Sequence, residues 1–180
     1  PGTYSLAPRS PDEMLAVDVI LGHNPKEPRP DVVVTIVDAS NLERNLYLMT
    51  QVLELGVPVV VALNMMDVAQ AQGLTIDVDK LSQQLGVPIV PLQANKGQGL
   101  DALRRAIAKV LEQPTAAQGP AFPEAFEHEI ARLREATDRA EEPFLLRRLL
   151  LDVGGHTERL LVAKHGPALA DEVHAARARL

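Results

Sequence analysis

Val57-Pro58-Val59-Val60-Val61-Ala62-Leu63-Asn64-Met65-Met66-Asp67 carries a continuous apolar run straight into a polar loop. A short run rich in β-branched residues reads as a strand covered on both faces, as in a parallel sheet flanked by helices. Asn64 to Asp67 then leaves the C-terminal end of that strand, which is where open α/β sheets bind ligands.

Working outward, Leu55-Gly56-Val57-Pro58-Val59-Val60 recurs in outline as Leu85-Gly86-Val87-Pro88-Ile89-Val90, so helix end, glycine cap and buried strand are used twice. A third β-branched run, Val32 to Val37, reads as another strand covered on both faces. Helices are predicted from Pro11 to Leu21 after the cap Ser10, from Leu42 to Leu55 with Ser40 or Asn41 as cap, from an Asp77 cap to Leu85, and from Leu100 to Leu111. Pro114 to Pro123 has linker composition, and beyond it no β-branched run occurs. Helices are expected there over 123–139, 143–151, 157–165 and 167–180. The fold class is therefore α/β with a mostly parallel sheet, followed by a small all-α domain. The expected boundaries are 1–112 for the first domain, 113–122 for the linker and 123–180 for the helical domain.

The 180 residues are 46% hydrophobic, enough for a real core, and no apolar stretch approaches the roughly 20 residues of a membrane helix. The net charge of −6, with both signs interspersed, argues against nucleic-acid binding, and the absence of cysteine removes disulfides and thiolate metal sites. His23, His128, His156, His165 and His174 show no ligand spacing and read as surface residues; no metal site and no catalytic constellation is assigned.

An aspartate at position 67 can accept two parallel hydrogen bonds from the N1–H and N2–H₂ edge of guanine, where adenine offers no matching donor pair. A site built on such bonds rejects an analogue lacking them by about 10⁴. Asn-x-x-Asp alone is a weak pattern, because Asn and Asp are common in turns. Its context is Pro1-Gly2-Thr3-Tyr4-Ser5-Leu6 upstream and Val90-Pro91-Leu92-Gln93-Ala94-Asn95-Lys96-Gly97 downstream. In this order the three segments resemble the end of Asp-x-x-Gly, then Asn-x-x-Asp, then Ser-Ala-Lys, the later nucleotide-contacting loops of a small GTPase.

Together with Asp38-Ala39-Ser40-Asn41-Leu42-Glu43-Arg44-Asn45-Leu46-Tyr47-Leu48, these strings resemble the ferrous iron transport protein B family. The resemblance covers the first two thirds of the chain closely and the helical third in character. It implies a P-loop GTPase-type fold binding GTP or GDP with Mg²⁺, in a domain that regulates iron uptake from the cytoplasmic face of the bacterial cell membrane. It also implies a membrane-embedded transporter region of the same polypeptide as partner, and it allows a homo-oligomer. The helical domain would resemble the one that favours the GDP-bound state.

On that resemblance, Pro1 and Gly2 would meet the γ-phosphate, Asn64 would tie the base loop to the phosphate loop while touching the purine, and Asp67 would select guanine. Met65 and Met66 would mainly fill the core beside the base. Gln93, Ala94 and Asn95 would form the third loop, with the Ala94 N–H directed at guanine O6. Gln93 and Asn95 depart from Ser-Ala-Lys at its first and third positions, so the resemblance does not carry over stacking by a lysine at 95. Thr3 stands where some GTPases place the glutamine that orients water, which implies slow hydrolysis. No Gly-x-x-x-x-Gly-Lys-Ser/Thr string occurs, so the sequence reads as a piece of something longer, a GTPase when intact and inactive by itself. Two other readings stay open: a soluble Era-like GTPase of ribosome assembly, which the acidic helical tail disfavours, and a non-catalytic α/β interaction module.

Overall fold

The structure, a computed structural model, describes residues 11–22 and 26–180. Pro1, Gly2, Thr3, the Ser10 cap and His23 lie outside the described residues.

Helix α1 (Pro11–Leu21) precedes strand β1 (Val33–Asp38). Helix α2 (Leu42–Leu53) links β1 to β2 (Val59–Asn64), and α3 (Met66–Ala71) and α4 (Val78–Leu85) link β2 to β3 (Ile89–Pro91). The described strands form one parallel sheet in the order β1-β2-β3, with Val34 opposite Val60, Ile36 opposite Ala62 and Asp38 opposite Asn64. Parallel neighbours require helical crossovers, which these linking helices supply.

Every residue of β2 but the last is buried, as the apolar run requires. Helix α2 packs on β1, and α5 (Leu100–Glu112) covers the opposite face, where Leu103, Ala106, Ile107 and Val110 meet Val60, Ala62, Val90 and Leu92. Each fully buried Val or Leu contributes roughly 1.5–3 kcal/mol. Strand β1 departs from the expectation of two covered faces. Thr35 and Val37 are buried toward α2, but Val34 and Ile36 are 38% and 69% exposed, because the cover that α5 gives to Val60 and Ala62 stops at β2.

The start of α2 also differs from the sequence reading. Neither Ser40 nor Asn41 caps it through a side chain; instead the Asp38 carboxylate accepts the Ser40 N–H at 2.8 Å and its hydroxyl at 2.7 Å, closing a short 3₁₀ turn at Ala39–Asn41 ahead of the helix. Asp77 caps α4 as expected, accepting the Lys80 N–H at 2.9 Å, and Gly86 ends it at φ 67°.

The chain divides into two compact units, one holding Leu15–Pro120 and the other Ala121–Leu180. The second contains α6 (Glu124–Ala136), α7 (Pro143–Leu151), α8 (His156–His165) and α9 (Pro167–Arg179). Its core gathers Ile130, Leu133, Leu146, Leu149, Leu161 and Val173. His165 corrects the surface assignment of the histidines. Its side chain is 17% exposed, and Nε2 lies 2.6 Å from Glu141 Oε1, which also accepts from Lys164 Nζ at 2.7 Å. Burial pushes the Glu141 carboxyl up, but the hydrogen bonds from Lys164 and His165 outweigh it and bring it below its ordinary value.

Candidate functional site

The C-terminal edge of the sheet assembles from three strand ends. Asp38 and Asn64 are register partners at the ends of β1 and β2, and the Leu92 N–H reaches back to the Leu63 carbonyl at 2.7 Å, setting the loop after β3 beside them. That loop is narrow. Gln93 and Gln98 form an antiparallel bridge, a 3₁₀ turn covers Ala94–Lys96, and Gly97 at φ 68° closes it.

Gly99 fastens the loop to the sheet. Its φ is 83°, a conformation that favours glycine, and a Cβ there would run into the Pro91 carbonyl oxygen and lie 2.8 Å from Leu92 Cδ2. Helix α5 thus starts in backbone contact with β3.

Met65 occupies the left-handed region at φ 62° and is 39% exposed. The expectation that both methionines fill the core fails at this residue. The sharp turn from β2 into α3 demands the left-handed conformation, which swings the side chain outward, while Met66 and Asp67 open α3 half-buried.

The two loops meet through side chains. Asn64 Oδ1 accepts the Ala94 N–H at 3.1 Å, so within the described residues Asn64 holds the loop after β3, where the sequence reading had it hold a phosphate loop. The same bond engages the N–H that had been directed at guanine O6. Asp67 Oδ1 accepts the Val68 N–H at 3.1 Å, and Oδ2 accepts from Lys96 Nζ at 3.0 Å. The Lys96 ammonium also reaches Gln93 Oε1 at 3.2 Å. Hydrogen bonding by Lys96 is the main cause that holds the Asp67 carboxyl below its ordinary value of 3.8. The carboxylate is therefore ionised near neutral pH and acts only as an acceptor.

Lys96 is the site residue that sequence reasoning missed. Its signal was a lysine one position beyond the one at which Ser-Ala-Lys places it. Asn95 sits exposed at the loop tip. Among the described residues no group of three or more His, Asp or Glu side chains could hold a metal ion.

This pair of loops at the end of a parallel sheet can be set beside known proteins. A family model described as ferrous iron transport protein B matches residues 1–107. The chain belongs to the ferrous iron transport protein B family. The Fe(2+) transporter FeoB of Salmonella typhimurium is 51% identical over 111 residues, covering 59% of this chain and 14% of the relative. The chain spans about that one seventh of the curated relatives it matches.

Solved FeoB structures extend the likeness. The FeoB G-domain from Methanococcus jannaschii is 50% identical with a TM-score of 0.58, covering 63% of this chain and 69% of that one. An S. thermophilus NFeoB mutant bound to GDP is 34% identical with a TM-score of 0.79, covering 99% of this chain and 67% of that one. The sheet is of the P-loop GTPase type found in FeoB G domains, and the match to NFeoB continues through the helical unit.

Proposed function

We propose that this chain supplies the base-reading part of a guanine-nucleotide-dependent regulatory domain in a ferrous iron transporter, on the cytoplasmic face of the membrane. The observation that carries the reading is the convergence of Asp67 and Ala94 at one sheet edge, where Asn64 Oδ1 accepts the Ala94 N–H at 3.1 Å and Lys96 of the same loop reaches Asp67 at 3.0 Å. An ionised carboxylate and a backbone N–H beside it complement the N1–H, N2–H₂ and O6 rim of guanine. The GDP carried by the NFeoB relative supports the assignment.

In this reading Asp67 selects guanine, and the Ala94 N–H exchanges Asn64 Oδ1 for O6 when the base arrives. Asn64 turns to the purine, and Met66 and the loop 93–95 flank the base. Pro1 and Gly2, which the sequence assigns to the γ-phosphate, are outside the described residues. GTP and its hydrolysis product would then act on a switch segment, assigned by the sequence to Thr3 through about Gly22 and in part outside the described residues, and the helical unit relays that change to a membrane-embedded region of the same polypeptide to regulate iron uptake. Mg²⁺ finds no ligand cluster among the described residues, so none of these steps is routed through it.

The test is a change of base. Asp67→Asn replaces the double acceptor by an amide whose N–H₂ suits the 2-oxo group of xanthine. Nucleotide titration of this variant should show preference moving from GDP to XDP, and retention of full GDP selectivity refutes the role given to Asp67.

A further inference from the structure

The loop after β3 carries one charge that the family pattern does not explain. Lys96 follows the three positions aligned with Ser-Ala-Lys, yet it is the residue that touches Asp67, from 29 positions away. We propose that Lys96 is a positioning residue for guanine recognition, gripping Asp67 by one oxygen while Gln93 anchors its ammonium, so that the free acceptor sites of the carboxylate are held toward the purine. This deepens the reading of Asp67 as the guanine acceptor and rests on it.

Acceptor capacity decides what the Asp67 carboxylate can still bind. A carboxylate offers about four lone-pair sites, two per oxygen. The Val68 N–H takes one at Oδ1 and Lys96 Nζ takes one at Oδ2. One site per oxygen stays open, the number that N1–H and N2–H₂ of guanine require. Without the lysine only Oδ1 is tethered, and the exposed end of the side chain is free to turn about its terminal torsion, which is broad.

Gln93 adds a reason for the arrangement. Where Ser-Ala-Lys of a small GTPase has a serine, this chain has a long amide whose Oε1 accepts from Lys96 Nζ at 3.2 Å. The ammonium is thereby held between two acceptors on different loops. Lysine has three donors, and these contacts use two of them. The side chain is 53% exposed, so replacing it leaves the core untouched.

Three measurements on the 180-residue chain decide the matter: ¹⁵N NMR titration with GDP, the same titration with ADP as control, and ¹³C titration of the Asp67 carboxyl. Lys96→Met should weaken GDP about two- to fivefold, the range of an exposed ion pair. It should also raise the Asp67 carboxyl pKa, and Lys96→Arg should restore both. A GDP constant that is unchanged or tighter in Lys96→Met overturns the positioning role while leaving guanine reading intact. A loss of GDP affinity with no movement of the Asp67 titration also overturns it, since the lysine would then act through the loop alone. Equal response of the unaltered chain to GDP and ADP, or no response to either, overturns both this proposal and the reading beneath it.

Discussion

Asn64 Oδ1 accepts the Ala94 N–H across 30 positions of sequence, and together with the Lys96–Asp67 pair at 3.0 Å this bond joins the loops that leave β2 and β3. Two strand ends set side by side by the parallel ladder need only a few such contacts to act as a unit. The site geometry is consequently a property of the sheet edge and not of either loop.

Asn64→Ala should release the Ala94 amide. Hydrogen exchange is the measurement: a bond of about 1 kcal/mol corresponds to roughly fivefold faster exchange at Ala94. Asn64→Asp keeps an acceptor in place and should keep the protection. Equal exchange in all three proteins would show the bond to be idle.

The left-handed turn at Met65 makes a conformational prediction. A β-branched residue fits φ 62° poorly, so Met65→Val should lower stability by about 1–2 kcal/mol, whereas Met65→Gly should change it by under about 1 kcal/mol. Denaturant midpoints decide this, and a harmless valine would mean that the turn relaxes out of the left-handed region.

In the helical unit, Arg177 donates to the Leu149 carbonyl at 2.6 Å, the Leu150 carbonyl at 3.2 Å and Glu158 at 2.7 Å, tying α9 to the end of α7. Removing it strands the final carbonyls of α7 and leaves the Glu158 carboxylate with only the Gly154 N–H at 2.9 Å. Arg177→Met should cost about 2–3 kcal/mol in thermal unfolding. Arg177→Lys should recover only part, because an ammonium lacks the planar fork.

Glu141 predicts an acid sensitivity. Its carboxyl titrates below the ordinary 4.5 in the folded chain, so the stability it adds is complete above that value and is lost as pH falls through the lower, folded one. Glu141→Gln should therefore melt lower than the parent near pH 7 and close the gap as the solution is acidified below about 4.5. A gap that stays constant with pH would assign the effect to packing alone.

Much of this architecture could be read from local signals. The β-branched runs, the glycine after Leu85, the Asp77 cap and the Pro-initiated α7 and α9 each depend on a few neighbouring residues, and they lie where expected, whereas α2 stops at Leu53, short of the expected Leu55. Contacts set by the sheet were hidden. Which lysine meets Asp67 depends on how β2 and β3 align, and Lys96 lay one place beyond the family pattern. His165 looked like a surface residue because nothing near it in sequence announces Glu141, 24 positions upstream. The exposure of Val34 and Ile36 reflects how far α5 reaches, a quantity that periodicity along β1 does not contain.

Gly99 sets unequal tolerances along the loop it closes. Any side chain there would meet the Pro91 carbonyl and Leu92, so a substitution must pry the start of α5 from β3, and the shift would travel through the Gln93–Gln98 bridge to Ala94 and Lys96. Asn95, a few residues away, is exposed and meets no such obstacle. A change in nucleotide affinity produced at 99 would thus be mechanical in origin, a hinge jammed open, although the residue itself offers no atom to the base.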